Sequence, residues 1–182
     1  MALLYGLFYN FNGLYLTKNN RIFRCLFIFL SGFSGLKAQT TLLVGSAETY
    51  TTIAGAYAAC TNGATNYIIE IRSTYTNTES KPITLGANTA ASVTIRPQSG
   101  VASLTLSTAT QSSVFSFTAG DNITIDGRAG GSGAGVLTIE NTQATASKYA
   151  IKFSGGSTGN TIQYCTVKGS IQMMQLLLQP EE

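Results

Sequence analysis

The sequence predicts an all-β protein, a right-handed parallel β-helix (solenoid) with a short N-terminal capping helix, on three observations. The first is a succession of short alternating strand signals from about Tyr67 to Val167, each closed by Gly, Asn, Ser or Thr. They run Ile69-Glu70-Ile71, Ile83-Thr84-Leu85, Val93-Thr94-Ile95, Leu104-Thr105-Leu106, Phe115-Ser116-Phe117, Ile123-Thr124-Ile125, Leu137-Thr138-Ile139, Ile151-Lys152-Phe153 and Thr161-Ile162-Gln163. The second is a loose internal repeat. Val114 to Phe117 followed by Asn122-Ile123-Thr124-Ile125 resembles Ala150 to Phe153 followed by Asn160-Thr161-Ile162-Gln163. The third is composition: Thr, Ser and Gly make up about a third of the chain. Thr suits the outer face of strands, and Gly and Asn suit tight corners.

Before the strands come segments of another kind. Lys18, Arg21 and Arg24 precede the apolar run Cys25 to Leu30, which passes through Ser31-Gly32-Phe33 to Leu36-Lys37-Ala38. Basic, apolar and small-residue parts in that order make a secretory signal, with cleavage expected after Ala38 and a secreted or cell-surface product. The apolar core is about half the length that crosses a bilayer, so a membrane is expected to matter only during export. Cys25 lacks the small and apolar residues that a lipoprotein signal places before its cysteine. Met1 to Leu16 lie upstream of where such a signal begins and read as a start codon assigned too early. Asn10, Asn12 and Gly13 in its middle argue against a second membrane segment. The chain therefore divides into 1–38, extension and signal; 39–170, the β-helix; and 171–182, an atypical tail.

The formal charge of +3 resides in the first segment, which holds Lys18, Arg21, Arg24 and Lys37. The remainder is close to neutral and has no basic face to bind phosphates, so nucleic acid is not an expected partner. His is absent, and Cys60 and Cys165 have no neighbouring Cys or His to suggest a metal site. Both read as small buried thiols.

The solenoid opens with the one amphipathic helix, Tyr50 to Cys60. Ile53, Ala56, Tyr57 and Cys60 fall on one face, Thr51 or Thr52 caps the start, and Asn62-Gly63 ends it. Laid across the first coil, it would cover open strand edges and an apolar core end. In the repeat that follows, the two copies are offset by 36 residues in the first strand and by 38 in the second (Ile123 to Thr161). A bare coil needs about twenty-odd residues, so the excess reads as one extra strand and the loop Gly127 to Gly135. Alternation of Phe115 and Phe117 with Ser116, and of Ile151 and Phe153 with Lys152, sends apolar groups inward. About four to five coils are expected. After Ser170 the pattern breaks at Ile171-Gln172-Met173-Met174-Gln175-Leu176-Leu177-Leu178. This reads as truncation or frameshift of a longer gene, with a terminal capping helix as the alternative.

Three strings carry a resemblance: Asn122-Ile123-Thr124-Ile125-Asp126-Gly127-Arg128, Leu137-Thr138-Ile139-Glu140-Asn141-Thr142, and Asn160 to Ser170. Together with the Val44-Gly45-Ser46 opening, the helix and Val93 to Pro97, they resemble the first coils of large secreted proteins of Bacteroidetes-type bacteria. Those carry a pectate-lyase-like right-handed parallel β-helix. The resemblance spans about Thr40 to Ser170 and implies a secreted or surface role, commonly beside adhesion modules and a C-terminal sorting domain. This chain has no such modules, in keeping with truncation.

A pectate-lyase chemistry would need clustered carboxylates to hold Ca²⁺ and a base to take a proton. The chain holds two Asp, Asp121 and Asp126. The candidate catalytic set is Asp126, Arg128 and Glu140, with Glu70 at its margin. Asp126 and Arg128 project the same way if the strand continues through them. Asp126-Gly127 equally makes a turn, the Asp bonding nearby backbone and the Gly taking positive φ, and the turn is the preferred reading. The Gly-rich loop 127–135 leads into a strand, so it is not a phosphate cradle. Tyr149 and Tyr164, and with them Tyr67 and Tyr75, are candidates to stack on sugar rings, against core or rim packing. The expected role is a non-catalytic secreted or cell-surface scaffold for adhesion or polysaccharide binding, with no metal or other cofactor. The alternatives are a polysaccharide lyase or glycoside hydrolase, in which the lyase would take Ca²⁺, and a truncated fragment without independent function.

Overall fold

The structure, a computed structural model, describes residues 37–145 and 147–169. Residues 1–36 of the expected signal segment and the Met-Leu tail lie outside them, whereas Lys37 and Ala38, the last two residues before the expected cleavage, lie within them and Ala38 opens the first strand. The elements are β1 (Ala38–Val44), α1 (Ile53–Ala58), β2 (Thr65–Ile71), β3 (Ile83–Gly86), β4 (Ser92–Pro97), β5 (Leu104–Thr108), β6 (Ser113–Thr118), β7 (Ile123–Asp126), β8 (Leu137–Asn141), β9 (Tyr149–Ser154), β10 (Thr161–Gln163) and β11 (Cys165–Lys168). Each of the nine strand signals forms a strand. Pairing within every sheet is parallel, which makes a β-solenoid of about four turns.

Three sheets form the faces. Face A runs β1-β2-β4-β7-β10, face B β3-β6-β9 and face C β5-β8-β11. The chain visits them in the order A, C, B. The two later complete coils are β4-β5-β6 and β7-β8-β9, and β10-β11 begin another. The first two coils are shorter: β1 is followed by α1 in place of a face B strand, and β2 reaches β3 through a loop with no face C strand. So β8 is not an extra strand inserted between repeats. It is the face C member of a three-sided coil, recurring as β5 and β11.

The core consists of inward ladders, one residue from each coil. Ile69, Ile95, Ile125 and Ile162 stack in face A; Leu85, Phe117 and Phe153 in face B; Leu106, Ile139 and Val167 in face C. Ile69, Ile95, Ile125, Leu85, Phe117, Leu106 and Ile139 have no exposed surface. Each such side chain contributes about 1.5–3 kcal/mol on burial. The outward positions carry Thr: Thr94, Thr124 and Thr161 on face A, and Thr105, Thr138 and Thr166 on face C.

The register corrects the repeat in one place. Thr161 pairs with Thr124 and Ile162 with Ile125, an offset of 37 residues rather than 38. Side chains alternate every residue, so the expected register would have put Ile162 opposite Thr124, facing solvent. The observed register sets it on the core. The offset is 36 at β6 and β9 and 37 at β7 and β10, so the extra residue lies in the corner between β9 and β10, where Gly155, Gly156 and Gly159 take positive φ. The Asn160 side chain ties the corner, its Oδ1 accepting from Ile123 N at 2.9 Å and its Nδ2 donating to Gly120 O at 2.7 Å.

The helix is shorter than its pattern, six residues, and it packs on β1, β2 and β3. Ile53, Ala56 and Tyr57 are its buried face, as expected, and Cys60, just past its end, is buried as well. Thr52 caps it, accepting from Gly55 N at 3.1 Å. The Glu79 carboxylate, 26 residues beyond Ile53, accepts from Ile53 N and Ala54 N, each at 3.0 Å. Tyr57 donates to Gly86 O, fastening α1 to the first strand of face B. Removing the carboxylate orphans two N–H groups, so Glu79→Ala should destabilise the fold by about 1–2 kcal/mol in urea titration, with faster amide exchange at Ile53 and Ala54.

Candidate functional site

The candidate residues fall in three places. Asp126 ends β7 on face A, and Arg128 follows it in the turn leading to β8. Glu140 lies on β8, in face C, half-buried and in register between Ser107 and Lys168. Among the described residues no hydrogen bond or ion pair joins it to Asp126 or Arg128. Tyr149 begins β9 on face B, and Tyr164 forms the corner between β10 and β11. Only Asp126, Arg128 and Tyr164 are brought together, with Gln163 completing the group.

Asp126 is 4 % exposed. Its Oδ1 accepts from Arg128 N at 3.0 Å and Nε at 2.9 Å, and its Oδ2 accepts from Arg128 Nη2 at 2.7 Å and Gln163 Nε2 at 3.1 Å. The bond to the backbone N–H two residues on is the turn expected from the sequence. The strand does not continue to Arg128; the guanidinium folds back onto the carboxylate. Those hydrogen bonds, offset in part by burial, hold the Asp126 pKa below the usual carboxylate range. A catalytic acid or base at neutral pH needs the opposite displacement and a free oxygen. Asp126 offers neither.

Above the pair, the Arg128 guanidinium lies 4.0 Å from the Tyr164 ring centroid. Tyr164 is 57 % exposed and has a positive φ of 54°, a conformation costly for an aromatic residue. Its carbonyl packs so closely against Gly127 and Gly135 that a Cβ at either would collide with it. Gly127 is therefore required by this close approach and not by positive φ, which the turn expectation gave it. The 127–135 loop holds a short 3-10 turn, Ala129–Gly131, and enters β8 as expected.

Further polar pairs escaped the sequence reading. Arg96 donates to Glu70 Oε1 through Nε at 3.0 Å and Nη2 at 2.7 Å; Arg72 pairs with Glu48 and donates to Gln98 Oε1 at 3.0 Å. Glu70, Arg96 and Asp126 each follow the inward isoleucine of their coil, Ile69, Ile95 and Ile125, and that recurrence is the signal that would have aligned them. Tyr67 and Tyr75 are buried, which is core packing. Cys60 is buried and Cys165 half-buried, and burial pushes both thiols up to about 11. Neither is a ready nucleophile. Among the described residues no group of three or more His, Cys, Asp or Glu could hold a metal ion. Tyr149 lines a shallow depression of about 280 Å³ with Ile151, Lys152 and Phe153, on a face other than that of Asp126.

Because the folded-state pKa of Asp126 is depressed, its contribution to stability is complete above the unfolded value of about 3.9 and is lost as pH falls through the folded one. Asp126→Ala should cost about 2 kcal/mol at pH 6 in urea unfolding, and the deficit should shrink below about pH 4. Comparison with protein-family models, curated proteins and solved structures finds no match to this chain.

Proposed function

We propose that this protein is a non-catalytic, secreted or cell-surface scaffold whose Tyr164 corner contacts polysaccharide. The observation that carries this reading is the occupancy of Asp126: both oxygens are bound by Arg128 and Gln163, and the resulting cluster braces an exposed aromatic ring in place of activating a proton. A tyrosine held at positive φ by backbone contact on one side and a cation on its ring is pre-set, so little conformational freedom remains to be lost when a sugar stacks on it. Strained positions of this kind gather where a residue has to be presented. The outward Thr rows of faces A and C supply hydroxyls along an extended surface that a linear polymer would follow.

The test is affinity electrophoresis of the purified chain in gels carrying uronate or neutral polysaccharides, with a parallel assay for depolymerisation. Retardation by one polymer, weakened at least tenfold in Tyr164→Ala and without unsaturated product or new reducing ends, is the expected result. Depolymerisation abolished by Asp126→Ala would replace this reading with the enzymatic one.

A further inference from the structure

One asparagine among the described residues differs from the rest in the residue that follows it. Asn62 precedes Gly63 in the corner between α1 and β2, whereas Asn66, Asn77, Asn88, Asn122, Asn141 and Asn160 each precede Tyr, Thr or Ile. Asn62 Oδ1 accepts from Ala64 N at 2.9 Å, a turn that folds the side-chain amide back along the Gly63 peptide. Asn62 O accepts from Thr65 N at 3.0 Å and closes the corner onto β2. Residues 61–64 are all exposed, and Gly63 N–H donates to no group among the described residues. Asn88 and Asn141 make the same turn, to Ala90 N and to Gln143 N, each at 3.1 Å. There the intervening nitrogen belongs to Thr89 or Thr142, whose branched side chain crowds it, and Asn141 Nδ2 is also held by Tyr149 O at 3.0 Å.

We propose that Asn62 is a site of spontaneous covalent modification, at which the Gly63 nitrogen converts the asparagine to aspartate and isoaspartate in the folded chain. Hydroxide takes the Gly63 N–H proton, and the nitrogen attacks Asn62 Cγ. The Cγ–Nδ2 bond then breaks, and Nδ2 takes a proton from water and leaves as ammonia. Water opens the cyclic imide that remains. Hydrolysis at Cγ restores the main chain with an aspartate, and hydrolysis at the backbone carbonyl leaves the chain running through Cγ as isoaspartate. Water is the one co-reactant, and nothing is oxidised or reduced. Glycine admits the step because it has no Cβ beside the attacking nitrogen and the widest backbone freedom. The turn assists it, since the bond from Ala64 N polarises the carbonyl under attack. Isoaspartate lengthens the corner by a methylene and displaces the carbonyl that Thr65 N uses, so the link from α1 to β2 loosens.

The test is to incubate the full chain at neutral and at mildly alkaline pH, folded and in concentrated urea, and to follow its tryptic peptide Ala38–Arg72 by tandem mass spectrometry. The expected result is exchange of the Asn62 amide for a carboxyl, mostly as isoaspartate, at least tenfold faster than at Asn66 in the same peptide and faster as pH rises. The folded chain should react within tenfold of the rate in urea, and amide exchange at Thr65 should quicken in the modified fraction. Asn62→Gln closes its ring far more slowly, and Gly63→Ala sets a Cβ beside the nitrogen, 3.0 Å from Thr89 O. Each should suppress the reaction, with folding verified by circular dichroism, and either serves if the other does not fold. An Asn62 that keeps its amide throughout overturns the proposal. So does a folded chain that reacts more than tenfold slower than the chain in urea, since the turn then protects the site.

Discussion

The rest of the structure depends on the stacking of one inward side chain per coil directly over its counterpart in the coil before. Ile69, Ile95, Ile125 and Ile162 define that ladder on face A. Because side chains on a strand alternate, placing these residues inward determines the direction of every neighbour. Glu70, Arg96 and Asp126 follow their isoleucines and so point outward at one level of the face. The threonines precede them and make the outward rows. The same constraint explains why a change of coil length is absorbed at corners and never within strands. The offset between the last two copies grows from 36 residues at β6 and β9 to 37 at β7 and β10, so the extra residue falls in the corner between β9 and β10, which the Asn160 side chain ties.

That alignment also gives the charged residues their partners. Glu70 with Arg96 joins adjacent strands, and Asp126 with Arg128 closes a turn, each pair half-shielded and hydrogen-bonded in more than one place. Carboxylates so engaged tie neighbouring strands and turns together. At the Tyr164 corner, the glycines at 127 and 135 admit the carbonyl, Asp126 aims Arg128, and Arg128 covers one face of the ring. Among the described residues this corner presents an exposed aromatic ring backed by a bound guanidinium.

Much of the fold was legible because apolar alternation and corner residues coincide in nearly every coil. The elements that escaped lacked one of those signals. β1 and β11 belong to terminal coils with a neighbouring strand on one side only, so their outward residues dominate. The break between β10 and β11 carries no Gly or Asn; Tyr164 itself adopts the left-handed conformation there, which no propensity would suggest. Glu79 could not be recognised as a helix cap because the contact spans a whole coil. Of the candidate site, Asp126 and Arg128 were visible as neighbours in sequence, whereas Gln163 and Tyr164 join them only through the stacking of β10 on β7. Glu140 looked eligible by residue type and was separated by the turn from face A to face C.

Cysteine cross-linking across β7 and β10 probes the stacked register most directly. Neighbouring strands lie about 4.8 Å apart, within disulfide reach for opposed residues on one face. Under mild oxidation, Thr124→Cys/Thr161→Cys should form an intramolecular bond in high yield, and Thr124→Cys/Ile162→Cys should not, since Ile162 faces the core opposite Ile125. Efficient bonding of the second pair and not the first would contradict the register, and with it the arrangement that assembles Gln163, Asp126, Arg128 and Tyr164.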